Sequence, residues 1–233
     1  MHNSNFNKEL QKKIESLHVD IIQFVDISNL SFNQNQGYTN AIIIGKILSK
    51  SYIKKVLTTE NYVEIIKKNN NINSDEFHNT EIETDKIADT IAKFITQKGF
   101  DAYSQSEQNL LNSNKYNAKK KLSPLPHKTV AVLAGLGWIG KHNLLVTKQF
   151  GSAISFCTVL TNANIKTTNA SLLESQCGKC KACVEICKSN SLKNKNWTPK
   201  INRDDILDVF SCTTCLMCMM ICPWTKKYLY KKD

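Results

Sequence analysis

The chain has 233 residues and a formal net charge of +11 at pH 7, with 31 Lys and Arg against 20 Asp and Glu. No stretch approaches the roughly 18 apolar residues of a membrane span, and the opening residues lack the apolar core of a secretory signal. We therefore expect a cytoplasmic protein without a membrane partner, whose basic surface suits RNA or another polyanion; a merely solvated lysine-rich face is the alternative.

Helical and strand patterns alternate along the first two thirds of the chain. An amphipathic helix is predicted from Phe6, Leu10, Ile14 and Leu17. Strands are predicted over 19–27, 41–45, 100–103, 144–147 and 153–161, with helices over 52–68, 84–97 and 128–134 and a mobile loop over 104–122. This order predicts an α/β (α+β) domain over residues 1–170. A further helix is predicted over 203–210.

Eight of the nine cysteines form two copies of one spacing, C-x2-C-x2-C-x3-C, and the second copy is followed by Pro223. This spacing is typical of double 4Fe-4S ferredoxins, in which the fourth cysteine of each run binds the other cluster. The sequence therefore predicts a ferredoxin-like double-cluster domain over residues 171–233. One cluster would be held by Cys177, Cys180, Cys183 and Cys222, and the other by Cys187, Cys212, Cys215 and Cys218.

Zinc and disulfides are the other uses of such cysteines. Zinc sites mostly pair two short Cys or Cys/His halves, so two complete four-cysteine runs are unusual for zinc. Disulfides belong to oxidising compartments, which the absence of a signal pattern argues against. The ninth cysteine, Cys157, lies in an apolar β-like run, and we expect it to be a buried, unreactive thiol.

The segment Gly135-Leu136-Gly137-Trp138-Ile139-Gly140 matches the dinucleotide-binding pattern G-x-G-x-x-G. A dinucleotide site needs a long helix after the glycines and an acidic residue about 20 positions later. The following residues are β-like, and no such acid is present, which argues against a nucleotide. Gly135, Gly137, Gly140 and Lys141 remain candidates for binding a second cofactor or a substrate; a tight connection between helix and strand is the alternative.

The glycine segment with Lys141, followed by Leu144–Thr147, Phe150–Ser152 and the two cysteine runs ending in Cys222-Pro223-Trp224, resembles the epoxyqueuosine reductase family, which is related to corrinoid reductive dehalogenases. The resemblance implies an oxidoreductase in which two clusters pass single electrons to a cobalamin that reduces an epoxide on a modified tRNA base. It also implies an electron donor such as a ferredoxin or flavodoxin.

The chain departs from this family at the expected proton donor. The family has an aspartate three residues before a proline that precedes the glycine loop; if Pro124 is that proline, the matching residue is Lys121. Lysine is a poorer proton donor at neutral pH than a tuned carboxylic acid. Tyr116, His127 or His142 could replace it, so the catalytic residues and enzyme activity itself stay open.

Three functions therefore remain to be separated. The first is an epoxyqueuosine-reductase-like enzyme that delivers electrons to a corrinoid or substrate at the domain junction. The second is a non-catalytic electron-transfer protein whose basic tail, residues 226–232, docks an acidic partner. The third, an RNA-binding protein with structural clusters, lacks the aromatic stacking pattern that RNA recognition commonly uses.

Overall fold

The structure is a computed structural model that describes residues 2–168 and 170–232. Its helices are α1 (His2–Glu15), α2 (Phe32–Asn35), α3 (Lys50–Thr58), α4 (Tyr62–Lys68), α5 (Glu76–Gln97), α6 (Glu107–Asn112), α7 (His127–Leu133), α8 (Ala182–Glu185), α9 (Met217–Met220) and α10 (Pro223–Tyr230). Its strands are β1 (Ile21–Asp26), β2 (Asn40–Ile47), β3 (Ala102–Ser104), β4 (Trp138–Ile139), β5 (Leu145–Val146) and β6 (Ile154–Thr161). Single 3-10 turns occupy Ile72–Ser74 and Arg203–Asp205.

The chain divides into two compact units. The first, which we call the sheet unit, contains the described residues of 1–46, 80–134 and 155–171. The second, the cysteine unit, contains the described residues of 47–79, 135–154 and 172–233. The unit with the eight clustered cysteines thus includes two segments from the first two thirds of the sequence. The division into functional domains at residue 170 stays a prediction.

A four-stranded sheet in the order β1-β2-β6-β3 organises the sheet unit. β1 and β2 pair antiparallel from Ile21↔Gly45 to Asp26↔Asn40, and β3 pairs antiparallel with β6. The apolar run 41–44 at the centre of β2 is completely buried, as its continuous hydrophobicity predicts. The apolar stripes of α1 and α5 pack with Ile42 and Ile44 in one core, which explains their helical periodicity.

The cysteine unit has a core built from α3, α4 and α9. Leu48, Tyr52, Ile53, Met219 and Met220 are among its buried members. β4 and β5 form a separate two-stranded antiparallel sheet with Trp138 opposite Val146. α3 also contacts α10, the helix that begins directly after the last cysteine, Cys222.

Several predicted elements differ from those observed. The helix expected over 52–68 is two helices, because Thr59 is extended and Asn61 adopts a left-handed φ of 52°. The loop expected over 104–122 contains α6, whose first residue Glu107 donates its backbone N–H to Asp85 at 2.8 Å. The helix expected over 203–210 shortens to a 3-10 turn, because Asp208 accepts backbone N–H groups of the following turn.

No helix within residues 2–168 and 170–232 is long and apolar enough to cross a membrane.

Candidate metal centre

Short helices and their ends present the cysteines of the two runs. Cys183 lies in α8, Cys218 lies in α9, and Cys222 is the residue before the first turn of α10. α8 and α9 contact each other, so the two runs lie side by side. All nine cysteines are free thiols.

The first group of thiols surrounds one cavity. A cavity of about 160 Å³ is lined by Cys177, Cys180, Cys183 and Cys222, the predicted ligands of one cluster. Burial, followed by the charges of Cys177, Cys222 and Cys180, raises the pKa of Cys183 to about 12. Cys222, which follows 35 positions after the end of the first run, therefore lies among the first three cysteines of that run.

The second group has the reciprocal composition. Burial raises the pKa of Cys218 to about 12, and the charges of Cys215, Cys183, Cys212 and Cys187 act in the same direction. Cys187, the last cysteine of the first run, therefore interacts with the second run. Cys183 interacts with both groups, which places the two groups next to each other.

Cys187 differs electrostatically from its neighbours. Burial opposes ionisation, but hydrogen bonds from the Ser189 hydroxyl and from backbone N–H groups, including those of Ser191 and Leu192, outweigh it and lower the pKa of the Cys187 thiol. The Cys187 Sγ and Ser189 Oγ atoms are 3.6 Å apart. This thiol is therefore already surrounded by donors that favour the thiolate, the form that binds metal.

The two groups of thiols fit iron–sulfur clusters by the type and number of their donor atoms. Within residues 2–168 and 170–232 no three His, Cys, Asp or Glu side chains converge closely enough to hold one metal ion. A 4Fe-4S cube takes one thiolate at each of four separate iron corners. Two adjacent sets of four thiols provide that number and type of donor; two of the eight cysteines are buried, five are partly buried and one is exposed.

Lys141 ties the glycine segment to the first cysteine run. Its side chain is only 5% exposed, and Nζ donates hydrogen bonds to the Cys180 carbonyl at 2.9 Å and to Asn194 Oδ1 at 3.1 Å. Both partners are neutral, so a buried cation lies beside the cavity without a carboxylate partner among the described residues. The role of Asn194 was not predicted from the sequence, since a lone asparagine carries no recognisable pattern.

Packing within the chain explains the three glycines among the four predicted cofactor-binding residues. Gly135 follows α7 with a left-handed φ of 71°, as a helix-ending glycine should. A Cβ on Gly137 would lie 2.0 Å from the Val146 carbonyl oxygen, and one on Gly140 would lie 2.7 Å from the His142 ring. A tight connection thus accounts for these glycines, and their role toward a second cofactor stays a prediction.

Two tryptophans border the first group of thiols. Trp138 is completely buried with Val146 and Cys222, and Cys177 and Trp224 pack against them. The two indoles meet edge to face with ring centroids 5.1 Å apart and planes at 77°. Neither indole was predicted to have a function, although Trp138 lies inside the glycine motif and Trp224 follows Cys222-Pro223.

The proposed replacements for the missing acid lie in different places. Lys121 is an exposed residue with a φ of 48° in the turn 117–122 of the sheet unit. His127 belongs to the same unit, and burial lowers its pKa to about 4, so it is neutral at pH 7. His142 lines the cavity beside the first cysteine group. Cys157 is fully buried in the sheet unit, as predicted.

Sequence comparison identifies relatives named epoxyqueuosine reductase. The chain is 28% identical over 123 residues to the protein of Atelocyanobacterium thalassa, and the matched region covers 45% of this chain and 39% of the relative. A longer match to the Francisella cf. novicida protein is 22% identical over 240 residues and covers 94% of this chain and 62% of the relative. The chain thus spans less than two thirds of these relatives. No family model matches it.

Solved structures share the fold at low sequence identity. An epoxyqueuosine reductase crystallised with an epoxyqueuosine-modified tRNA stem loop matches 96% of this chain with a TM-score of 0.56 and 14% identity, over 66% of its own length. A catabolic reductive dehalogenase matches 93% of this chain with a TM-score of 0.67 and 14% identity, over 31% of its own length. The resemblance predicted from the sequence motifs is confirmed: the chain is related to the epoxyqueuosine reductases and, by fold, to the reductive dehalogenases.

Proposed function

We propose that this chain is an iron–sulfur oxidoreductase that carries single electrons through two 4Fe-4S clusters. The first cluster would be bound by Cys177, Cys180, Cys183 and Cys222, and the second by Cys187, Cys212, Cys215 and Cys218. Such clusters supply one-electron transfer at potentials that the surrounding protein adjusts. The chain itself would supply the thiolates from two neighbouring runs, in which every cysteine except Cys180 is at least partly buried.

The observation that carries this proposal is the position of each fourth cysteine beside the opposite run. Cys222 lines the cavity formed by the first run, and Cys187 acts electrostatically on Cys218 of the second run. Two independent four-cysteine zinc sites would not require such an exchange, whereas double-cluster ferredoxins use it. The buried ammonium of Lys141 supports an anionic group in the same place, because an unpaired buried charge is costly.

The substrate proposal rests on the relatives. The related proteins are named epoxyqueuosine reductase, and one structural neighbour was crystallised with a modified tRNA stem loop. The net charge of +11 suits a polyanionic substrate. We therefore propose an epoxide on a tRNA base as the group that receives the electrons. Because Lys121 replaces the expected aspartate, the proton donor is not assigned.

The cobalamin implied by the resemblance has no support from the cavity beside the cysteines. That cavity is about 160 Å³, well below the roughly 300–1,000 Å³ of pockets for drug-sized ligands, and a corrinoid is larger still. This cavity is the space assigned to the first cluster, and it does not also hold a corrin ring. Cobalamin stays a prediction of the resemblance, and no step is assigned to it.

The function is tested by anaerobic reconstitution followed by single-turnover reduction of epoxyqueuosine-modified tRNA. We expect the protein to hold about eight irons and eight sulfides. Its dithionite-reduced form should convert the epoxide, and the reaction is run in parallel with and without added cobalamin. Cys222→Ala should lose the first cluster, whereas the matched control Cys157→Ala, which alters a buried thiol of the sheet unit, should keep both clusters. Equal iron contents in these two variants would refute the cluster assignment.

A second candidate function is a non-catalytic electron carrier, and a lysine-lined groove favours it. The groove has a volume of about 600 Å³ and is lined by Lys148, Gln149, Lys226, Lys227, Tyr230 and Lys231. Most of these residues lie on or just after α10, which starts directly after Cys222. With a rise of about 1.5 Å per residue, Lys226 is only about 6 Å along the helix axis from that cysteine. An acidic ferredoxin or flavodoxin bound here would be close to the first cluster.

Charge reversal separates this docking function from tRNA binding. The double variant Lys226→Glu, Lys227→Glu should slow cluster reduction by an acidic flavodoxin at low salt and leave reduction by dithionite unchanged. The double variant Lys54→Glu, Lys68→Glu changes two exposed lysines on α3 and α4 and is the control for the same change in net charge. If the double variant instead weakens only tRNA binding, the groove is a nucleic-acid surface and the carrier function loses its support.

A further inference from the structure

The indole N–H of Trp138 is a buried donor without an acceptor. The residue is 0% exposed, and within the described chain its Nε1 atom has no hydrogen-bond partner. Buried polar groups almost always have a partner, and leaving one unsatisfied costs about 1–3 kcal/mol. The structure therefore points to an acceptor that the protein chain itself does not provide.

The surroundings of Trp138 identify the kind of acceptor. Trp138 packs with Val146 and Cys222, and Cys177 lies against the same group. Cys177 and Cys222 both line the cavity assigned to the first cluster. A 4Fe-4S cluster would bring sulfide ions and ionised cysteine sulfurs into this space, and hydrogen bonds to such sulfurs help to set a cluster's potential.

We propose that Trp138 donates a hydrogen bond from its indole N–H to a sulfur of the first cluster and thereby raises that cluster's reduction potential. This inference rests on the proposed function. The hydrogen bond stabilises the reduced cluster more than the oxidised one, because reduction adds negative charge to the acceptor. Trp138 is thus a tuning residue that acts on the cofactor without being a ligand.

The local fold holds the donor in a fixed position. Trp138 is paired with Val146 across the β4–β5 ladder, and the edge-to-face contact with Trp224 restrains its ring. Gly137 allows this close approach, because any Cβ there would meet the Val146 carbonyl oxygen. A donor fixed before reduction requires little rearrangement when the cluster gains an electron.

The test is a redox titration of reconstituted protein, followed by electron paramagnetic resonance. Trp138→Phe removes the N–H and keeps an aromatic ring. We expect one of the two reduction steps to move to a lower potential, with the equilibrium constant for reduction falling up to tenfold, or about 59 mV for one electron. Trp197→Phe is the matched control, because it removes an indole that belongs neither to the group packed around Trp138 nor to the cavity lining.

A second measurement covers the case in which Trp138→Phe fails to assemble its clusters. A variant carrying Trp197→Phe and Trp224→Phe keeps Trp138 as the only tryptophan of the three. After indole-¹⁵N labelling, pulsed spectroscopy of the reduced protein should detect a ¹⁵N coupling to the first cluster. Absence of this coupling, or unchanged potentials in Trp138→Phe, would overturn the inference.

These outcomes are distinct from a failure of the proposed function. If the wild-type chain binds no cluster, the iron and sulfide analysis reveals it before any titration, and both proposals fall. If the clusters assemble but neither the potential nor the ¹⁵N coupling depends on Trp138, only the hydrogen bond is refuted.

Discussion

Gly137→Ala tests whether the glycine segment is a packing device. The added methyl group would lie 2.0 Å from the Val146 carbonyl oxygen and 2.8 Å from its carbonyl carbon. Both atoms belong to the backbone of β5, so the overlap cannot be relieved by rotating a side chain. Overpacking a well-filled site costs about 1–3 kcal/mol and sometimes more, and we expect about 3 kcal/mol here because β4 and β5 must separate.

Thermal unfolding followed by circular dichroism measures this change. For a chain of this size, 1 kcal/mol corresponds to roughly 2–4 °C in Tm, so Gly137→Ala should lower Tm by about 6–12 °C. Gly99→Ala is the control, since a Cβ there meets no atom within 4 Å although its φ is 87°; it should cost only about 1–2 kcal/mol. A Gly137→Ala protein that unfolds within about 2 °C of the wild type would refute the packing explanation.

Three further changes have defined outcomes. Burial lowers the pKa of His127 in the folded protein to about 4, below its usual 6.5. Its contribution to the free energy of unfolding, up to about 3 kcal/mol, is present above pH 6.5 and is lost as the pH falls toward 4. His127→Gln should therefore flatten the dependence of stability on pH, as measured by urea titrations. Tyr52→Phe removes a buried hydrogen bond of 2.9 Å to Asp75 and should cost about 1.5–3 kcal/mol; no loss in the same titration would contradict the bond's role. Lys141→Gln removes a buried positive charge and should lower the first cluster's potential by tens of millivolts, on the order expected for a nearby charge; an unchanged or higher potential would contradict the proposed charge compensation.

The contact between the two cysteine runs was predictable because such ligand sets use short local spacings, and their binding of clusters stays a prediction. The buried strand at 41–44 was predictable for a similar reason, since four consecutive apolar side chains are a local signal. Sequence reasoning failed where one residue or a distant contact decides the structure. Asn61 divides the predicted helix over 52–68 by adopting a left-handed conformation. The residue type alone does not reveal this, because asparagine also occurs in uninterrupted helices.

The composition of the cysteine unit was also beyond local patterns. It joins residues of 47–79 and 135–154 to the C-terminal segment, and only tertiary packing brings these three parts together. For the same reason Trp138 could not be recognised as a neighbour of Cys222, which is more than 80 positions later in the sequence. The glycine motif left two interpretations open from the sequence, because the same spacing permits close strand packing as well as close approach to a cofactor.

The most direct test of the central claim compares the clusters that remain when single cysteines are replaced. Wild-type protein reconstituted without oxygen should contain about eight irons and eight sulfides, and each single variant about half. The residual spectrum of Cys222→Ala should match that of Cys180→Ala, and the spectrum of Cys187→Ala should match that of Cys215→Ala. If Cys187→Ala instead matches Cys180→Ala, each run binds its own metal centre and the exchange of fourth ligands is wrong.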